Sequence, residues 1–344
     1  MQNMNERELP FGHGYFDLVE SKEGLIHVNG WMVFPRERLD GFLLSVNETV
    51  LAESVIRERA DVEKVFPFLP YSRYSGFDIS ARIDEPAPLL NVCVIGMQGD
   101  KHIAKLKTLY SRQLLEETLS VDARLLKRVT GQENLEAFWQ SGLKTFQDYW
   151  ELACKHLSVE SIRRILDWGC GPGRLTWMLT KLTTAPEIHG CDIDSDAIAW
   201  CEQNLSRAEF RSIPPFPPTR YSDDCFDLVI GNSIFTHLKR DVQISWLQEI
   251  RRILREGGLL LASVHGEFAT YLKFPDSADR VLRKGIFDEV KDGILDGVAP
   301  KDYYRGTYQS RAYTQEVFGK YFEILDYIER GCYHFQDVVV MRKR

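Results

Sequence analysis

Residues 165–175 read Ile-Leu-Asp-Trp-Gly-Cys-Gly-Pro-Gly-Arg-Leu, and this stretch limits the fold more than any other. A short apolar run ends in Asp167. Gly169, Gly171 and Gly173 follow at alternate positions, and an amphipathic run over 174–182 starts at once. The order is strand, glycine turn, helix. Glycine lets backbone approach a ligand closely, and the first turn of a helix offers free N–H groups. The next apolar run, 187–191, ends in Asp192, about 20 residues past the loop, where doubly wound folds place a ribose-binding carboxylate. A glycine turn that holds no ligand is the plainer alternative for the same residues.

The spacing separates two nucleotides. A dinucleotide loop reads G-x-G-x-x-G and faces a pyrophosphate. Here the pattern is G-x-G-x-G with Asp167 just before it. A carboxylate there repels a pyrophosphate and suits a cofactor that carries an ammonium and a sulfonium. With these residues the chain, over roughly 139–344, resembles the class I S-adenosylmethionine (SAM) methyltransferases, whose first motif is an acid followed by Gly-x-Gly-x-Gly.

From 164 onward strand and helix patterns alternate, which predicts a parallel sheet. The expected strands are 164–168, 187–192, 209–211, 226–231 and 259–264. A helix before the last of these carries apolar Val242, Ile244, Trp246, Leu247, Ile250, Ile253 and Leu254, and Glu256-Gly257-Gly258 reads as its stop. The final strands, 322–328 and 338–342, are joined by too short a loop for a crossover helix, so that pair must be antiparallel. A Rossmann-like doubly wound α/β sheet with an antiparallel last strand is the expected fold of 161–344.

The first part follows another period. Residues 1–110 show short alternating runs at 25–31, 41–46, 76–83, 89–95 and 102–107, separated by turn signals at 21–24, 47–48 and 98–100. This predicts an all-β sandwich domain. It loosely resembles a β-sandwich module attached to some methyltransferases and glycosyltransferases of surface-glycan pathways, which implies a carbohydrate or partner module; a stabilising or oligomerising domain is the alternative. Residues 111–160 change to helical period, with Leu114, Leu115, Leu119, Leu125, Leu126 and Val129 on one or two helices. They read as a helical linker and cofactor-covering helix, with a break at 130–134 and a further helix at 143–156.

The resemblance implies a site. Gly169, Cys170, Gly171 and Gly173 would border the methionine part of SAM, and Asp167 would neutralise its cationic end. Asp192 would accept both ribose hydroxyls, and Ile193 would lie on adenine. Arg174 would meet the methionine carboxylate or stand as a solvated helix arginine. Ser212 is the one short polar group placed to read adenine. Asn232 would hold the methionine amine by its carbonyl. Gln140, Ser141 and Gly142 would close over the cofactor or form an ordinary linker. His237 and His265 both follow strands at the catalytic edge and are the general-base candidates; a capping or packing role is the alternative for His237. An insertion over 266–313 is rich in tyrosine and arginine, and Tyr304, Tyr308 and Arg311 are expected at the acceptor, with His334 of the last hairpin. Residues 214–218, a proline-rich run, read as a rigid wall or a ligand for a proline-binding partner.

Net charge is −7, so attraction to nucleic acid or to an anionic membrane is not expected. Seven cysteines, an odd number without C-x-x-C, suggest neither a disulfide framework nor a zinc knuckle. Residues 1–9 are polar, with no apolar signal core, and no run reaches transmembrane length. A reducing cytoplasmic compartment, no membrane insertion and no metal are expected; oligomeric state stays open. The expected function is SAM-dependent methyl transfer, at oxygen, to a small-molecule or glycan-type acceptor. The alternatives are an NAD-dependent oxidoreductase and a non-catalytic SAM- or glycan-binding protein.

Overall fold

The computed structural model describes residues 12–34, 37–67, 69–83, 87–131, 133–183 and 187–344; the polar stretch 1–9 lies outside the described residues. The chain divides into two compact units, Met1–Thr118 and Leu119–Arg344, so the expected helical segment 111–160 is shared between them.

In the first unit the strands are β1 (His13–Lys22), β2 (Leu25–Val33), β3 (Gly41–Val46), β4 (Thr49–Val55), β5 (Arg57–Glu58), β6 (Tyr74–Arg82), β7 (Leu90–Gln98) and β8 (Lys101–Tyr110), with α1 (Ala60–Val65) and, after them, α2 (Arg112–Glu116). They form two antiparallel sheets, β1-β2-β6-β5 and β4-β3-β7-β8. Alternate side chains of both sheets, among them Val28, Ile79, Leu44 and Val94, meet in one core. Glu23-Gly24 and Asn47-Glu48 join their strands through two-residue turns with both φ angles positive, the backbone twist that suits a hairpin. Strands β1 and β4 lie at sheet edges, which is why their half-polar sequences carry little alternation.

The second unit begins with α3 (Ala123–Thr130) and α4 (Leu135–His156). Gly131, with φ +70, ends α3, and the Asn134 side chain accepts the Ala137 N–H at 3.0 Å to start α4. Helix α4 therefore starts eight residues before the expected 143. Then follow β9 (Arg164–Trp168), α5 (Arg174–Leu182), β10 (Glu187–Asp192), α6 (Ser195–Asn204), β11 (Glu209–Ser212), β12 (Phe226–Gly231), α7 (Arg240–Ile253) and β13 (Leu254–Val264). The insertion folds as α8 (Glu267–Lys273), α9 (Ala278–Arg283) and a two-stranded ribbon, β14 (Ile286–Lys291) with β15 (Arg305–Gln309). After α10 (Arg311–Phe318), β16 (Glu323–Cys332) and β17 (Gln336–Arg342) close the chain.

The main sheet has the order β11-β10-β9-β12-β13-β17-β16. Strands β11 to β13 are parallel, and β17 runs antiparallel to both neighbours. Leu259, Leu260, Leu261 and Val264 have no exposed surface, because helices cover both faces. Glu256-Gly257-Gly258 is not the helix stop. Helix α7 ends at Ile253, and the two glycines lie in an irregularity of β13, where the Gly257 N–H donates to the Lys343 carbonyl at 3.0 Å.

Candidate cofactor and acceptor site

Strand order reverses beside β9, so the loops after β9 and β12 open onto one crevice. A cavity of about 300 Å³ occupies it. Gly169 and Gly171 line this cavity in left-handed backbone, with φ of +75° and +52°. A β-carbon on Gly169 would lie 2.0 Å from Ile234 Cδ1, so the two loops can touch only because that side chain is missing.

Asp192 ends β10 and fixes the glycine loop. Its Oδ2 accepts the Gly171 N–H at 2.7 Å and its Oδ1 the Asp194 N–H at 2.8 Å. A carboxylate has about four acceptor positions, so these bonds leave room for a ligand. Asp167 accepts the Thr176 hydroxyl at 2.6 Å. Burial pushes both carboxyls up to about 6. Ile193 and Cys170 also line the cavity, and burial pushes the Cys170 thiol well up.

Helix α3 covers the loop with Leu125, Arg128 and Val129, three residues on one helical face. Arg128 donates to Asp194 Oδ2 at 2.7 Å, while the other oxygen of Asp194 caps α6. Arg174 donates to Ser141 Oγ at 2.9 Å, and its guanidinium lies 5.7 Å from the centre of the Tyr333 ring. Tyr333 is held in turn: its N–H donates to Asp148 Oδ2 at 3.1 Å and its hydroxyl to the Ser141 carbonyl at 3.0 Å. Asp148 also forms a buried ion pair with Lys144. After β12, Asn232 Oδ1 accepts the Tyr149 hydroxyl and the Cys332 thiol, both at 3.3 Å. Ser233, at φ +59, is held by Ser263 and Gln336.

His237 ends a short 3-10 turn, Phe235–His237, and lines the far part of the cavity. Its Nδ1 lies 3.0 Å from the Arg305 carbonyl, and its ring stacks on Tyr304 at 4.0 Å and 11°. His265, at the end of β13, repeats the arrangement one step back. Its Nδ1 lies 3.1 Å from the Thr307 carbonyl and its ring stacks on Tyr308 at 4.8 Å. Burial holds His237 down at about 4. Burial and the neighbouring His237 hold His265 down at about 3.

The cavity thus gathers Asp167, Gly169, Cys170, Gly171, Asp192, Ile193, Asn232, His237 and Tyr304. It also gathers Arg174, but not the other expected residues. Gly173 starts α5 at φ +72 and faces α6; a β-carbon there would meet Leu205 Cδ1 at 2.5 Å. Ser212 is exposed because strand parity turns it outward and puts Ile213 in the cavity wall. His265 and Tyr308 sit behind His237, with Phe274 packed on Tyr308. Arg311 lies at the start of α10, exposed, beside Glu329 at 3.5 Å and over Tyr327. His334 is buried at the hairpin tip, and the turn sends Tyr333 rather than His334 to the cavity. Gln140, Ser141 and Gly142 lie inside α4, where Ser141 receives Arg174 and Gly142 lets the two helices approach. Residues 214–218 take no part in the lining, but the Pro215 carbonyl accepts from Tyr303 at 2.5 Å and Trp246 at 3.3 Å, which both line it.

Arg128, Trp246, Leu295, Tyr333 and Gln336 were not anticipated at the site. A signal existed for Arg128 alone: it interrupts the apolar stripe of Leu125 and Val129, where a plain packing face would carry another apolar residue.

Residues 165–258 match the family described as a methyltransferase domain. The malonyl-[acyl-carrier protein] O-methyltransferase of Halalkalibacterium halodurans is 29% identical over 133 residues, 37% of this chain and 48% of the relative. The trans-aconitate 2-methyltransferase of Rhizobium etli is 24% identical over 42% of this chain and 56% of the relative. Over 165–258 the chain carries a methyltransferase domain. It spans about half the length of these relatives. A SAM-dependent methyltransferase structure from Methanosarcina mazei covers 56% of this chain and 96% of its own, at 19% identity and a TM-score of 0.42. The matched segment of the methyltransferase domain runs from β9 through the glycines of β13, and so contains the glycine loop, Asp192, Asn232 and His237. Tyr304, Tyr333 and Gln336 lie beyond it. Among the described residues no helix is long and apolar enough to cross a membrane.

Proposed function

We propose that the protein transfers the methyl group of SAM to a hydroxyl oxygen of a small-molecule or glycan-type acceptor. In this reading the Asp192 carboxylate takes the ribose hydroxyls, Ile193 lies on adenine, and Asp167 and the Asn232 carbonyl serve the cationic end of the methionine moiety. Arg174 takes its carboxylate. The sulfonium already makes the methyl carbon electrophilic, so the domain has mainly to align the acceptor, an effect worth several kcal/mol.

The observation that carries the choice of a hydroxyl is the tautomer of His237. A carbonyl oxygen only accepts, so the Nδ1 at 3.0 Å from the Arg305 carbonyl carries the hydrogen. Nε2 is then a lone pair, and among the described residues nothing donates to it. A lone pair receives an O–H and repels a carboxylate oxygen. The trans-aconitate relative is named for a small molecule, which favours an acceptor of that size.

The test is transfer of labelled methyl from SAM to a panel of small hydroxyl and carboxyl compounds, sugars included. Hydroxyl acceptors are expected to be labelled, and His237→Gln to lower their turnover by roughly 10²-fold with S-adenosylhomocysteine affinity intact. Labelling of carboxyl compounds alone, with His237→Gln fully active, sinks the proposal. Thermal stabilisation by NAD and not by SAM would restore the oxidoreductase alternative.

A further inference from the structure

The imidazole of His237 has a second neighbour. Asp292 directly follows β14, and its two carboxylate oxygens do different things. Oδ1 accepts the Ile294 N–H at 3.0 Å and so ties down the loop. Oδ2 lies 3.7 Å from His237 Nδ1, too long for a direct hydrogen bond but within ion-pair range. Among the described residues no lysine or arginine pairs with Asp292. Its charge is felt nearby: after burial, it is the next cause that pushes the Tyr304 and Tyr308 hydroxyls up. The remaining groups around the ring offer no competing charge. Tyr304 is stacked on it, His265 stands 6.2 Å away, and the Arg305 guanidinium is taken by Asp302 at 3.3 Å.

We infer that Asp292 is a positioning residue for His237, a carboxylate set beside the Nδ1–H that the Arg305 carbonyl accepts, where it stabilises the imidazolium that forms during methyl transfer. This rests on the reading of His237 as the base. In the step, the acceptor oxygen bonds to the methyl carbon. The carbon–sulfur bond breaks with its electron pair going to sulfur, which leaves S-adenosylhomocysteine. The hydroxyl proton passes to Nε2. The new positive charge then lies in a dry pocket, and a carboxylate beside Nδ1 favours it.

The test needs no acceptor. Protein labelled with [15N]histidine is titrated without ligand by long-range 1H–15N correlation, with His237→Gln to assign the signal. The native protein is expected to show the Nδ1–H tautomer. Asp292→Asn, nearly isosteric and on a partly exposed loop, is expected to lower the His237 midpoint by about half to one unit, Asp292→Glu to restore most of it, and His27 to stay put. An unmoved midpoint, or an Nε2–H tautomer in the native protein, overturns the inference. The base reading fails separately. If the midpoint moves but His237→Gln turns over a hydroxyl acceptor from the panel at full rate, the catalytic role given to Asp292 falls with it. If the midpoint stays and turnover is lost, only Asp292 is excluded.

Discussion

Replacing Asp192 by alanine separates ligand binding from loop architecture, because in the proposed reading this carboxylate serves both. On the ligand side, the variant loses charge-assisted hydrogen bonds to ribose, worth roughly 1.5–3 kcal/mol. At about 1.4 kcal/mol per decade, S-adenosylhomocysteine affinity should fall about 10- to 100-fold. On the protein side, the N–H groups of Gly171 and Asp194 lose their acceptor. Each orphaned donor costs roughly 1–3 kcal/mol. Against this stands a gain. Burial lifts the Asp192 carboxyl from 3.8 to about 6, so keeping it ionised at neutral pH costs about 3 kcal/mol, which the alanine removes. The two sides nearly cancel, and the melting temperature should drop by no more than about 10 °C. Calorimetric titration with S-adenosylhomocysteine, beside a thermal melt, measures both numbers. Affinity within twofold of the native protein would refute the placement of Asp192 at the ribose. A collapse in melting temperature would refute the balance drawn between orphaned donors and relieved charge.

Gly171→Val puts a branched side chain at φ +52 with its β-carbon 3.1 Å from Val129 Cγ2, and should abolish S-adenosylhomocysteine binding with an unchanged far-ultraviolet circular dichroism spectrum; normal binding would mean the loop does not cradle the cofactor. Affinity should also depend on pH. Asp167 and Asp192 sit at about 6 in the empty site and the cationic, hydroxyl-bearing ligand needs them ionised, so affinity is full above pH 7 and falls through pH 6, by up to about tenfold per unit for each carboxyl. Calorimetry from pH 8 to 5 reads this, and Asp192→Asn should remove about half of the slope; a flat profile contradicts the assignment. A fragment spanning 119–344 should fold and bind S-adenosylhomocysteine within about threefold of the full chain, since that unit has its own sheet and core. An insoluble fragment would show that residues 1–118 are needed for the domain to stand.

Much of the sheet was legible because its signals are local. The strands that carry Asp167 and Asp192 are short, with an acid at or one residue before their end, and both stop where expected, at Trp168 and Asp192. The antiparallel last strand followed from loop length alone. The misreadings have a common physical cause: a sequence shows which residue types are present but not which way they face. Ser212 looked suitable because it is polar, yet parity turns it out and brings Ile213 in. Gly173 looked like a third cradle residue, yet its missing side chain makes room for Leu205. Glu256-Gly257-Gly258 looked like a helix stop, yet a strand can hold two glycines where its partner's backbone reaches across, as Lys343 does. Gln336 and Tyr333 come from the far end of the chain and reach the cavity only through the topology of the last hairpin, which no spacing rule encodes.

The histidines show how far composition misleads about chemistry. A sequence reading gives both an ordinary pKa near 6.5 and the tyrosines of the insertion a place at the acceptor. In the folded chain most of those tyrosines are walls. Tyr308 is spent on His265, and Tyr304 both lines the cavity and covers one face of His237. Strand β15 then offers two carbonyls, two residues apart on one side of the strand, and each takes the Nδ1–H of one histidine. The insertion thereby does two things that an exposed histidine would lack. It fixes the tautomer, so the lone pair of His237 is always the one turned from the strand. It also dries the ring, which holds the free base neutral well below pH 6. In the role proposed for His237, a base so held is weak in the free protein and gains strength only where charge develops beside it. Its acidic limb in turnover should accordingly lie below the pH at which cofactor binding fails, so that loss of cofactor affinity near pH 6, and not protonation of His237, sets the acid side of the activity profile.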